Sequence, residues 1–210
     1  WRAMPVAPDE FDLLHRDQAQ RVKWGLLGRH NLENALAAAA AAHHVGLSLE
    51  VIAEGLASFK GVKRRLELLA DVDGVRVYDD FAHHPSAVRE TVRAVKTFYG
   101  ARRLAAVFEP RTNTSMRDVF QETYATCFDP ADMICIRQPP LLSKIPDGKR
   151  FSSKKLVEDL QGRGRAAHYF QDTDAIIDFL VKGAREGDVI LIMSNGGFDN
   201  IHERLLEALS

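Results

Sequence analysis

Five short polar clusters hold the residue types that could do chemistry. In Asp79-Asp80-Phe81-Ala82-His83-His84-Pro85, two carboxylates and two imidazoles lie between an apolar run and a helix start. Carboxylates accept hydrogen bonds from sugar hydroxyls, and a helix N-terminus attracts anions. The same residues also suit a capped loop whose acids satisfy backbone donors. A metal site fits poorly, because adjacent His83 and His84 point in different directions on an ordinary loop. Gly28-Arg29-His30-Asn31-Leu32-Glu33-Asn34-Ala35-Leu36 spaces Asn31 and Asn34 one helical turn apart. Two stacked amides, each both donor and acceptor, can read a planar heterocycle; an ordinary Asn cap plus a surface Asn is the plainer alternative. Arg64-Arg65-Leu66-Glu67 offers guanidinium forks for phosphate or carboxylate, or forms a solvated basic linker. In Glu109-Pro110-Arg111-Thr112-Asn113-Thr114, Arg111 and two hydroxyls could hold an acidic substrate, or the segment is a polar surface loop. Ser194-Asn195-Gly196-Gly197-Phe198 has glycines for close backbone approach to a ligand or for positive-φ turns, or is a plain tight turn.

Short apolar runs alternating with amphipathic segments must position these clusters. Leu66–Ala70 and Val75–Tyr78 flank Asp73-Gly74, a strong hairpin signal. Leu104–Phe108, Met133–Ile136 and Val189–Met193 read as strands buried on both faces. Helices are predicted over Ser86–Phe98, with Val88, Val92 and Val95 on one face, and over Met116–Cys127, Ser153–Leu160, Thr173–Lys182 and Asn200–Leu209. This alternation implies an α/β fold with an open, mainly parallel sheet and right-handed crossovers. Ligands of such sheets sit at the carboxyl ends of the strands. The loops after Tyr78, Phe108, Ile136 and Met193 are therefore where a site belongs, and three of the polar clusters fall there. Further upstream, Asn31–Val45 reads as an alanine-rich helix ending at Gly46. Ser48 caps a second helix with Leu49, Ile52, Ala53 and Leu56 on its apolar face, while residues 1–24 show no clear period. The basic connector Phe59–Arg65 marks a domain boundary.

Composition narrows the function classes. The chain has 210 residues, a formal net charge of -1 and 46% hydrophobic residues, as in a soluble globular protein. A near-neutral charge gives no electrostatic case for nucleic acid, and no apolar run approaches the roughly 20 residues that span a bilayer. Two cysteines, Cys127 and Cys135, indicate no disulfide framework, and the expected location is the cytoplasm. Neither Gly-x-Gly-x-x-Gly nor Gly-x-x-x-x-Gly-Lys-Ser/Thr occurs, which opposes a dinucleotide-dependent oxidoreductase and a phosphate loop within these residues.

Taken together and in order, the clusters resemble the Mur ligase family. Gly28-x-His30-Asn31-x-x-Asn34-Ala35 is similar to the family's adenine-side motif in its central domain. Arg65-Leu66-Glu67 resembles the Arg-x-Glu at the central-to-C-terminal junction, whose arginine contacts nucleotide. Asp80-Phe81-Ala82-His83-x-Pro85 resembles the Asp-Tyr-Ala-His-x-Pro whose Asp serves the ATP ribose. Trp24–Gly28, Gly61–Arg65, Tyr78–Pro85, Glu109-Pro110-Arg111 and Ser194–Phe198 look most like the members that join UDP-N-acetylmuramate to the tripeptide L-Ala-γ-D-Glu-meso-diaminopimelate in peptidoglycan recycling. Members that add L-alanine usually have Tyr-Gly where this chain has Phe81-Ala82. Two departures stand out: Asp199-Asn200 follow Phe198 where a Gly pair is expected, and Thr112 replaces Ser.

The resemblance implies an enzyme that uses ATP and Mg2+ to phosphorylate the lactyl carboxylate of UDP-N-acetylmuramate, after which the tripeptide amine displaces phosphate. It implies that residues 1–62 are the helical end of the central ATPase domain and that 63–210 are the Rossmann-like C-terminal domain, which binds the peptide acceptor. His30, Asn31, Asn34, Arg65, Asp80 and His83 would then serve the nucleotide, with His83 near the phosphates. Arg111, Thr112, Asn113, Thr114, Ser194, Asn195 and Gly196 would grip the tripeptide, and closure about Gly61–Glu67 would unite the two sets. The UDP-sugar domain, phosphate loop and metal-binding carboxylates have no counterpart in these residues. The rest of the enzyme is thus the expected partner, with no nucleic acid or membrane, and the piece alone is expected to be inactive. An L-alanine-adding ligase and a free-standing muropeptide-binding module are the alternatives.

Overall fold

The computed structural model describes residues 1–112, 114–140, 142, 145–146 and 148–210. They form two compact units, Trp1–Lys63 and Arg64–Ser210.

The first unit is a three-stranded antiparallel sheet with two helices. Its strands are β1 (Arg2–Ala7), β2 (Glu10–His15) and β3 (Gln18–Lys23), and its helices are α1 (Arg29–His44) and α2 (Leu49–Ser58). Both helices of the expected helical remnant are present, and the sheet over residues 1–24, where no period was read, is added to it. Only β2 alternates visibly, with Phe11 and Leu13 buried, and the β2–β3 turn carries Arg16 at φ +54° instead of Asn-Gly. With one face of weakly apolar strands and a turn residue of low turn preference, the period was hidden. Phe11, Leu13, Val22 and Trp24 pack with Ala35 and Ala39 of α1 and with Leu49, Ile52 and Ala53 of α2. Ser48 caps α2 by accepting from Val51 N. Helix α1 starts earlier than expected: Gly28, at φ +91°, is the N-cap, a backbone geometry open to glycine.

The second unit has a six-stranded sheet in the order β4-β5-β9-β6-β7-β8 among its described residues. The strands are β4 (Glu67–Val72), β5 (Val75–Asp80), β6 (Leu104–Phe108), β7 (Met133–Arg137), β8 (Ala167–Phe170) and β9 (Val189–Met193). Strand β4 is antiparallel to β5 across the predicted hairpin, whose Asp73 and Gly74 both have positive φ, and all other pairs are parallel. Helices α3 (Pro85–Tyr99), α4 (Gln121–Tyr124) and α5 (Ser153–Gly162) contribute to one core, around Val88, Val92, Tyr124 and Leu156. Helices α6 (Thr173–Gly183) and α7 (Ile201–Leu209) cover the other face, around Ile176, Leu180, Ile201 and Leu205.

The predicted helix over Met116–Cys127 shrinks to a 3-10 turn, Asp118–Phe120, and the single turn α4. Thr123 O accepts both Thr126 Oγ1 and Cys127 Sγ, so side chains compete for the carbonyl that would continue the helix. Strand β9 returns to the gap left between β5 and β6, and β5, β9 and β6 end level, with Asp80 and Phe108 both beside Met193. Loops from these three ends leave together at a topological switch point, where open α/β sheets bind ligands.

Candidate functional site

The loop after β5 is built on its two acids. Asp80 is 4% exposed and accepts from Ala82 N at 2.7 Å, Leu66 N at 2.7 Å and Thr91 Oγ1 at 3.4 Å. Burial pushes its carboxyl above the usual range, against the pull of the Leu66 and Ala82 N–H groups. A carboxylate has about four lone-pair sites; Oδ1 holds two of these bonds and Oδ2 one, which leaves a site on Oδ2. Asp79 is also buried and accepts from Arg64 Nε at 3.0 Å. His202 Nε2 of α7 lies 3.1 Å from Asp79 Oδ1, off the hydrogen-bonding direction. Arg64 is no solvated linker residue. Its Nη2 donates to Ser194 O at 2.7 Å and Gly196 O at 3.0 Å, tying the β5 end to the β9 loop.

The connector is stapled in an uncommon backbone conformation, with Arg64 at φ +59° and Leu66 at φ +49°. Arg64 N donates to Glu67 Oε2, Leu66 N to Asp80 Oδ2 and Phe81 N to Arg64 O. Arg65 is exposed, its guanidinium 5.2 Å from the Phe81 ring centroid. His83 Nδ1 donates to Phe81 O at 2.9 Å, and Tyr124 Oη donates to His83 O. The hydrogen bond on Nδ1 leaves the other ring nitrogen, Nε2, as the acceptor of a neutral imidazole.

A second network spans the ends of β9, β6 and β7. Glu109, fully buried, accepts from Arg137 Nη1 on Oε1 and from Ser194 Oγ at 2.7 Å on Oε2. Arg137 also reaches Asp199, which accepts from Thr173 Oγ1 at 3.0 Å. The Arg111 guanidinium stands 3.7 Å from Glu109 Oε2, with 35% of its side chain exposed. Ser194 Oγ accepts from Gly196 N at 3.0 Å, so this hydroxyl supports its own loop. Gly196 and Gly197 do not supply the positive φ that the sequence allowed for; Phe198, Asp199 and Asn200 do, at +45°, +49° and +54°. Those last two stand at the expected Gly pair, and Asp and Asn are the side chains that best tolerate this region.

Of the other sequence candidates, Thr112 Oγ1 bonds Ser115 Oγ at 2.8 Å, Thr114 is exposed, and Asn195 Oδ1 is buried without a partner among the described residues. Asn113 lies outside the described residues. In the first unit, Asn31 Nδ2 donates to Leu27 O at 2.7 Å, Asn34 is exposed on α1, and His30 Nδ1 is buried without a partner among the described residues. The second unit thus brings Arg65, Asp80 and His83 to one strand end, and Arg111, Ser194 and Gly196 to its neighbours. Sequence reasoning passed over Arg137 and His202 as working parts, and it left Arg64, Asp79 and Asp199 without a role in the site. Arg137 did carry a signal, a lone charge directly after the apolar run Met133–Ile136. No cluster of three or more metal-ligating side chains occurs among the described residues, and no helix among them is long and apolar enough to cross a membrane.

Residues 64–196 match the family described as Mur ligase, glutamate ligase domain. The chain is 39% identical over 214 residues to the UDP-N-acetylmuramate--L-alanyl-gamma-D-glutamyl-meso-2,6-diaminoheptandioate ligase of Escherichia coli (strain K12), covering 100% of this chain and 45% of that protein. It is 33% identical over 213 residues to the UDP-N-acetylmuramate--L-alanine ligase of Caldanaerobacter subterraneus subsp. tengcongensis, covering 99% of this chain and 46% of the relative. Among solved structures, a murein peptide ligase from Psychrobacter arcticus 273-4 superposes with a TM-score of 0.69 at 35% identity, covering 99% of this chain and 43% of that one. The chain therefore spans under half the length of the relatives it matches.

Proposed function

The chain belongs to the Mur ligase family, and we propose that it is the acceptor-binding end, with a strip of the nucleotide side, of a ligase joining UDP-N-acetylmuramate to L-Ala-γ-D-Glu-meso-diaminopimelate. The observation that carries this is Arg111: a partly exposed guanidinium beside Glu109 and Ser194, at the carboxyl edge of the sheet, with no hydrogen bond to a described residue. Such a fork suits a peptide carboxylate, and the tripeptide supplies several. The 39% identical relative is named for this tripeptide, whereas the L-alanine-adding relative is 33% identical.

ATP with Mg2+ supplies the phosphate leaving group that a carboxylate lacks. The residues present suit the nucleotide. Arg65 is exposed and free to meet phosphate, Asp80 Oδ2 keeps one acceptor site for a ribose hydroxyl, and His83 keeps one ring nitrogen. Asn31 and Asn34 are the adenine-side candidates. Thr112, Thr114, Ser194, Asn195 and Gly196 line the acceptor side with Arg111. What these residues contribute is binding and orientation, which make up much of the rate enhancement when two substrates must meet.

Steady-state kinetics of the complete enzyme separate the two sets, because KM does not depend on the folded fraction. Arg111→Ala is expected to raise the tripeptide KM about ten- to hundredfold, the worth of a charge-assisted hydrogen bond, and to leave the ATP KM unchanged. Asp80→Ala is expected to do the reverse. Equal effects on both substrates, or a wild-type preference for free L-alanine over the tripeptide, would count against this reading.

A further inference from the structure

Glu109 is fully buried, yet it treats its two arginines unequally. Arg137 occupies Oε1, Ser194 Oγ donates to Oε2 at 2.7 Å, and Arg111 is held off at 3.7 Å. Arg111 is also confined by the β9 loop. A Cβ added to Gly196 would lie 2.1 Å from Arg111 Cδ and 2.3 Å from its Nε, so the side chain crosses backbone that only glycine leaves bare. Attraction between charges falls off slowly with distance, whereas a hydrogen bond demands contact. At 3.7 Å, Glu109 therefore fixes where the guanidinium sits without using up its donors. Arg137 and Ser194 make this possible by taking the contact positions on the carboxylate.

We propose that Glu109 is a positioning residue for Arg111: with Gly196 it holds the guanidinium in place, its hydrogen-bonding edge unspent, for a carboxylate of the acceptor. Arg137 and Ser194 keep Glu109 from collapsing onto Arg111. The ligand half of this inference rests on the function proposed above; the positioning half does not.

Two measurements on the 210-residue chain test it. The first is the NMR signal of the Arg111 Nε–H group, assigned through its loss in Arg111→Lys. It is expected to be dispersed in the wild type and to move to the free-arginine position in both Glu109→Gln and Gly196→Ala. Gly196→Ala tests the confinement by the β9 loop alone; if Glu109→Gln fails to fold, Ser194→Ala provides the test of Glu109, since freeing Oε2 is expected to let it close on Arg111 and shift the same signal. The second is calorimetric titration with the tripeptide. Each variant is expected to weaken binding about tenfold, the loss of one charged hydrogen bond, and Glu109→Gln to add nothing in an Arg111→Ala background. A signal unchanged in Glu109→Gln (or, where that variant does not fold, in Ser194→Ala), or a Glu109→Gln loss that persists in full without Arg111, overturns the proposal. If the wild type takes up no tripeptide while the signal behaves as expected, the acceptor reading fails and the positioning role stands.

Discussion

At the scale of residues, one carboxyl shows how burial and hydrogen bonding compete. Asp80 is held by two backbone N–H groups and Thr91, yet burial outweighs them and raises its affinity for a proton. A carboxyl whose folded value lies above its unfolded one binds its proton more tightly in the folded chain. Its contribution to stability is therefore full below the unfolded value of 3.8 and is lost as pH rises through the folded value. Chemical denaturation of the wild type and Asp80→Asn should accordingly show a variant penalty that is larger near pH 4 than near pH 7. A penalty that grows with pH would mean the N–H groups win. Asp80 and Arg111 were legible in the sequence because their types and strand-end positions announce them. Arg137 and Asp199 were not, since they come together across 62 positions of chain and only the sheet order joins them.

At the scale of elements, the parallel core was the readable part: β6, β7 and β9 follow runs of apolar residues, and α3 follows its spaced valines. Strands β1, β3 and β8 were hidden for a common reason. They lie at sheet edges and bury at most two residues each, so they show little period. The left-handed turn at Phe198–Asn200 was half visible, as two residues standing where glycines were expected. A β-carbon in that region costs about 1–2 kcal/mol, less for Asn than for most side chains. Asn200→Ala is therefore expected to destabilise the chain by about 1 kcal/mol, and Asn200→Gly to leave it nearly unchanged, measured by thermal unfolding. Equal destabilisation by both would instead point to a role of the Asn200 amide.

At the scale of the whole molecule, these residues bring Arg111 and Ser194 to the carboxyl edge of the sheet but hold no Gly-x-x-x-x-Gly-Lys-Ser/Thr segment to cradle the phosphates of ATP. The 210-residue chain is accordingly expected to hydrolyse no ATP and to form no amide bond in a coupled phosphate-release assay. Steady turnover would show that it is not merely the acceptor side. The most direct measurement is calorimetric titration of this chain with L-Ala-γ-D-Glu-meso-diaminopimelate and, separately, with UDP-N-acetylmuramate. An acceptor-binding chain gives saturable heat with the tripeptide and none with the nucleotide sugar; saturable binding of UDP-N-acetylmuramate with none of the tripeptide would contradict it.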